Sequence, residues 1–196
     1  MNSLVKFVLN IIPRSILTRL SFLLKPLIKI YLSGNKYVDP IDGSSFRKFL
    51  PYGYNNVREN ALSPSTFSLE RHRLLWLYLK NETDFFNKNL KVLHFAPEAA
   101  FLEKFKKLKN ISYDTIDLNS PLANIKADIC DLPLDDESYD FILCNHVLEH
   151  IIDDKKAMQE LYRVLKKDGI GIFQVPINMS NKKTYEDFTI TGPKER

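Results

Sequence analysis

Between residues 85 and 178 the chain alternates short β-rich runs with helix-periodic segments, and this alternation constrains the fold more than any other feature. Residues 91–95 read as a first strand, and residues 98–109 put Phe101, Leu102, Phe105 and Leu108 on one helical face with lysines opposite. Residues 113–118 read as a second strand that brings Asp117 and Asn119 to its end. Residues 125–128 are a short third, 139–144 a fourth, and 170–175 a fifth that stops at Pro176. Between the last two, Asp153 suits an N-cap and Gly169 a C′ position for a helix burying Ala157, Met158, Leu161, Tyr162 and Leu165. Strand and helix repeated in this way specify an α/β domain on a parallel sheet.

Ligands of such sheets bind outside the carboxyl ends of the strands, where the strand order reverses. The residues to read are therefore 94–98, Asp117, 128–130, Asn145 and His146. A carboxylate offers two acceptor oxygens, so Asp117, about twenty residues after the first loop, suits a pair of ribose hydroxyls. Asp128, ending the third strand, suits an exocyclic amino group. Each acid taken alone is equally a simple turn or helix cap. In order, and one strand apart, they point to a nucleoside.

The stretch ADICDLPLDDESYDFILCNHVLEHIIDDKKAMQELYRVLKKDGIGIFQVPI, with the strand and loop KVLHFAPE ahead of it, resembles the class I S-adenosylmethionine-dependent methyltransferases of the type 11 group. The resemblance runs from residue 91 to 177. It implies a Rossmann-like sheet with S-adenosyl-L-methionine as cofactor and an unidentified methyl acceptor. It also implies that Asp117 holds the ribose, that Asp128 holds the adenine, and that Ile129 and Cys130 flank the base. In the family the first loop is an acid followed by G-x-G; here His94 stands for the acid, Ala96 for the first glycine and Glu98 for the second. Ala96 is the smallest substitute for a glycine that lets backbone approach the methionine portion, and Glu98 suits its ammonium group. Asn145 and His146 stand where an acceptor is oriented or deprotonated, and Asn145 also borders the cofactor. The bland alternative for His146 is a neutral histidine at a helix start.

Two zinc readings compete. HVLEH, residues 146–150, matches H-x-x-E-H, the inverted zinc-peptidase helix, but follows a strand directly and meets a new N-cap at Asp153, which leaves little helix to carry it. Upstream, residues 35–67 resemble a four-cysteine ribbon found in a subgroup of the same family. The four cysteine positions are Asp39, Asp42, Ser63 and Thr66 here, a poor soft-metal set, so no metal is expected. A small hairpin unit held by Phe46, Phe49, Tyr52 and Tyr54 is expected in its place. Ser68 then caps a helix through Lys80 whose Leu69, Leu75, Trp76 and Leu79 pack on the sheet.

The formal charge of +4 is uneven: Lys6, Arg14, Arg19, Lys25, Lys29 and Lys36 all precede the first acid, Asp39, leaving 22 bases against 24 acids in the remainder. That balance excludes a nucleic-acid-binding face on the folded body. In residues 1–34 the polar positions recur every three or four residues, so this leader is an amphipathic basic helix, interrupted at Pro13 and Pro26. It suits either an anionic membrane surface or the chain's own domain. It is too broken by charge to span a bilayer. Cys130 and Cys144 adjoin apolar runs, as buried thiols of a reducing, cytoplasmic compartment do.

The expected organisation is a leader (1–34), a degenerate ribbon (35–67) and a methyltransferase-like α/β domain (68–196). The family normally adds two antiparallel strands after the fifth; only residues 178–196 follow here, with Tyr185 and Glu186 in acceptor-side positions. A sheet lacking that pair would expose an edge that invites a homodimer. The competing functional expectation is a non-catalytic cofactor-binding or scaffold protein derived from the family.

Overall fold

The computed structural model describes residues 14–53 and 56–177, which fall into two units divided between Thr83 and Asp84. Expectations placed on residues 1–13, on Tyr54 and on residues 178–196, including those for Tyr185, Glu186 and the strands after the fifth, lie outside the described residues.

In the first unit α1 (Arg14–Tyr31) runs into β1 (Ser33–Val38), which pairs antiparallel with β2 (Ser45–Phe46). A second antiparallel pair joins β3 (Leu50–Tyr52) to β4 (Arg58–Leu62). Leu32, Phe46 and Phe49 form a small buried cluster, against which Ile28, Tyr37 and Leu50 pack. The four positions likened to zinc cysteines do converge, but through hydrogen bonds. Asp39 is fully buried; its Oδ2 accepts from Thr66 Oγ1 at 2.5 Å, Ser68 Oγ at 3.4 Å and Ser65 Oγ at 3.5 Å, and its Oδ1 from the Ile41 amide at 2.9 Å. Ser65 Oγ also donates to Asp42 Oδ1 at 3.1 Å and lies 3.1 Å from Ser63 Oγ. A buried carboxylate is tolerated because donors surround it.

The same hub explains a misplaced cap. Helix α2 (Glu70–Asn81) begins one residue after Leu69, whose amide donates to the His72 ring at 3.0 Å; Ser68, the expected cap, has its hydroxyl committed to Asp39. Arg73 of α2 donates to the carbonyls of Ala61 and Ser68 at 3.0 and 2.7 Å and lies over the Phe49 ring, which ties the helix into the first unit.

The second unit contains β5 (Leu90–Phe95), α3 (Ala99–Phe105), β6 (Ile111–Ile116), β7 (Tyr139–Asn145), α4 (Asp154–Val164) and β8 (Leu165–Gln174). The four strands form one parallel sheet in the order β6-β5-β7-β8. Period-two alternation along β5 sends Val92 and His94 to one face and Leu93 and Phe95 to the other, and all four are buried. On the first face Phe85, Phe101, Phe105 and Phe141 stack around His94 and Tyr113. On the second, Leu93, Phe95, Ile116, Ile142 and Cys144 pack with Ala157, Leu161 and Val164 of α4. Burial pushes the Cys144 thiol up to about 12, so it is a packing group. Cys130 is only half-buried.

Three expectations need correction. The third strand shrinks to a single parallel bridge, Ile116 to Ile125, beside β6. Side chains take the bonds a strand would need: Asn124 Oδ1 accepts from the Thr115 amide and hydroxyl, and Asp128 Oδ1 accepts from the Cys130 amide to turn the chain. Helix α4 starts where expected, the Asp153 carboxylate accepting from the Lys156 amide at 3.0 Å, but ends at Val164 rather than near Gly169. Residues 166–169 instead bulge between the pairs Tyr139–Leu165 and Phe141–Ile170, and a Cβ at Gly169 would come within 2.7 Å of the Leu165 side chain. The buried stripe of α4 is Ala157, Leu161 and Val164; Met158 and Tyr162 are exposed.

Arg163 fastens the loop before β7 to α4. It grips Glu160 through two bonds of 2.9 and 2.7 Å, donates to the carbonyls of Leu132 and Leu134, and pairs with Asp136 at 2.7 Å. The guanidinium, opposed by partial burial and helped by the Leu132 amide, holds the Glu160 carboxyl down at about 2. A carboxyl whose folded pKa is depressed adds stability above its unfolded value, about 4.3, and loses it as pH falls through the folded one. Arg163→Met should therefore lower the melting temperature by a few degrees at neutral pH and remove the acid dependence between about 4.3 and 2. Thermal melts of both proteins across that range check this; parallel curves refute it.

Candidate functional site

The reversal of strand order puts a crevice at the carboxyl ends of β5 and β7: from β5 the chain crosses to β6 on one side and returns to β7 on the other. Both strands end in a left-handed residue, Ala96 at φ +46° and His146 at φ +55°. The Ala96 amide donates to the Ile116 carbonyl at 2.9 Å and the His146 amide to the Gln174 carbonyl at 2.7 Å, so neighbouring strands hold both turns. A left-handed conformation is where glycine costs least, which accounts for the glycine that the family places at Ala96.

Glu98 stands at the N-cap of α3 without capping it. Its Oε2 instead accepts from Asn145 Nδ2 at 3.2 Å, across from the end of β7. Asn145 is buried, and its Oδ1 has no hydrogen-bond partner among the described residues. Behind Glu98 lies His94, which is fully buried, with Nε2 3.7 Å from Glu98 Oε2 and Nδ1 2.7 Å from the Tyr113 hydroxyl. Burial, reinforced by Glu98, raises the Tyr113 pKa, so the phenol keeps its proton beside the His94 ring. The alternation of β5 turns the His94 side chain to the core. Tyr113, which sequence reasoning missed, sits directly across the sheet from Val92, and a tyrosine mid-strand gives no signal of its own.

Asp117 follows β6 and is half-buried; Oδ1 accepts from the amides of Asn119 and Ser120 at 2.8 and 2.6 Å, and Oδ2 takes no bond from the described residues. Asp128 is exposed and also closes a local turn through Oδ1. Ile129 is buried, its side chain within the core cluster. Cys130 lies beside it with Sγ 3.5 Å from the Asp153 carbonyl; burial, then Asp128 and Asp153, raises its pKa and keeps it a thiol.

His146 is one-third exposed, and its Nδ1 lies 3.2 Å from Glu149 Oε1. Residues Leu148–His150 form one 3₁₀ turn and His150 is exposed, so the helix that the zinc-peptidase reading requires is not there.

The crevice therefore presents acceptors: the Glu98 carboxylate, the orphan Asn145 Oδ1 and the spare oxygen of Asp117. A buried acceptor without a donor is costly, and a ligand bearing an ammonium group and vicinal hydroxyls supplies what is missing. By that test the residues fit S-adenosyl-L-methionine at its amino and ribose ends.

Comparison with known proteins points to the same part of the chain. Residues 81–173 match the family described as methyltransferase domain. The demethylmenaquinone methyltransferase of Chlamydia caviae is 33% identical over 67 residues, 34% of this chain and 29% of that protein. The chloroplastic 2-phytyl-1,4-beta-naphthoquinone methyltransferase of Arabidopsis thaliana is 38% identical over 58 residues, 30% of this chain and 22% of that protein. The chain thus spans less than a third of the length of these curated relatives. A SAM-dependent methyltransferase from Aquifex aeolicus superposes with a TM-score of 0.40 at 18% identity, over 50% of this chain and 58% of that one. Residues 81–173, just under half of the chain, thus carry the similarity to a methyltransferase domain, and they include the whole parallel sheet of the second unit up to Phe173.

Proposed function

We propose that the chain binds S-adenosyl-L-methionine in the crevice between β5 and β7 and serves methyl transfer to an acceptor. The observation that carries this reading is the Glu98–Asn145 pair, with the buried, unpartnered Oδ1 of Asn145 beside a carboxylate at the switch point of the sheet. Glu98 and Asn145 would hold the amino group, Asp117 the ribose hydroxyls, and Asp128 with Cys130 the adenine. The bound cofactor supplies a methyl group already activated on a sulfonium, so no protein nucleophile is called for.

The work left to the protein is alignment and exclusion of water. Ala96 brings backbone to the crevice with the smallest side chain that the position allows short of glycine. His146, aimed by its left-handed backbone and by Glu149, stands at the acceptor side, where its ring would take up a proton from an O–H or N–H acceptor. The matches span less than a third of the quinone methyltransferases' length, so their acceptors are not carried over.

Isothermal titration with S-adenosylhomocysteine tests the reading. One saturable site per chain is expected, and a folded sample that releases no heat ends the proposal. Saturable binding without turnover in any cell extract would assign the site to a non-catalytic cofactor-binding protein instead.

A further inference from the structure

Among its described side chains, helix α1 meets its own unit at Ile28 and in the cation–ring pairs Lys25–Phe67 and Arg47–Tyr31. Ile28 lies against the Leu32, Phe46 and Phe49 cluster, and Leu32, just past the helix end, is buried. Away from that contact, Leu23, Leu27 and Ile30 recur at i, i+4 and i+7 and are 75%, 64% and 74% exposed; Leu24 and Tyr31 extend the same stripe at 46% and 72%. Five large apolar side chains in one row on nine residues of helix are more than the scattered exposure a soluble surface carries.

The surroundings of the stripe are basic. Lys29 is exposed on the flank of α1, and the Arg47 guanidinium lies 4.5 Å over the Tyr31 ring. Residues 1–38 contain six bases and no acid. No helix among the described residues is long and apolar enough to cross a membrane. We propose that this face of α1 lies in the interface of an anionic lipid surface, with the leucine stripe among the acyl chains and the basic flank among the headgroups. Apolar burial and attraction to lipid charge act together in that geometry. A second copy of the chain meets the stripe less well, because two-fold pairing sets one cationic flank against another, and like charges across an interface repel. The inference is independent of the cofactor reading: it rests on the first unit alone.

Co-sedimentation of the full chain with vesicles of phosphatidylcholine, with and without phosphatidylglycerol, provides the test. Binding is expected only with the anionic lipid and should weaken as salt is raised. Leu23→Gln with Leu27→Gln should lower partitioning by at least roughly tenfold, the loss of two buried leucines, with the helix kept because glutamine is a good helix former. Lys29→Gln should lower it by roughly fivefold. Circular dichroism and S-adenosylhomocysteine binding should not change in these variants, which shows that folding and the crevice are intact. A folded wild-type chain that stays in the supernatant with anionic vesicles overturns the proposal. So does a wild-type dimer that the double leucine variant makes monomeric while neither protein binds lipid, which would assign the stripe to a second copy.

Discussion

Glu98→Gln should weaken S-adenosylhomocysteine binding by roughly 10- to 100-fold while leaving the melting temperature close to that of the wild type. The amide keeps an oxygen that can accept from Asn145 Nδ2, so the crossing from β5 to β7 survives. What it loses is the formal negative charge opposite the ligand's ammonium. A hydrogen bond to a charged group contributes about 1.5–3 kcal/mol, which is about one to two decades of dissociation constant. Titration of both proteins at the same pH and salt checks this. An unchanged constant would mean that Glu98 is only a brace for Asn145 and that the amino group is held elsewhere.

Asp39→Ala should cost the first unit about 3–5 kcal/mol. The carboxylate is the common acceptor for Thr66, Ser68, Ser65 and the Ile41 amide, all within a buried knot. Removing it takes the acceptor from Thr66, Ser68 and the Ile41 amide, while Ser65 keeps Asp42, and each unsatisfied buried donor is destabilising on its own. Asp39→Asn keeps one acceptor oxygen and should fall between the two. The expected readout is early proteolysis within residues 35–67 while S-adenosylhomocysteine still binds, since the crevice is built entirely from the second unit. Equal resistance of the alanine variant and the wild type would show that the knot is decorative.

The sheet was legible because its strands are buried on both faces and read as continuous apolar runs, with Asp153 marking the start of α4 by a cap that the structure reproduces. What misled was local side-chain competition. Residues 125–128 have strand-like composition, yet Asn124 and Asp128 take the backbone partners that a third strand would use. Gly169 looked like a helix end because glycine serves there, but its real constraint is the Leu165 side chain packed against it in a bulge. Ser68 looked like a cap for the same kind of reason, and a carboxylate distant in sequence claimed its hydroxyl. At the site, the positions of Glu98, Asp117 and Asn145 follow from the strand ends alone. The inward turn of His94 follows from counting along β5, while its partner Tyr113 is a long-range contact that no local pattern encodes.

The two left-handed turns at Ala96 and His146 have a thermodynamic corollary for whatever occupies the crevice. Residues with side chains keep such backbone angles only where their surroundings hold them there. The ligand-facing loops thus sit in narrow basins before any ligand arrives, and little further chain disorder remains to be frozen when it does. Calorimetry of the complex should accordingly find a small entropic penalty from loop ordering, with the selectivity of the site residing in contact enthalpy.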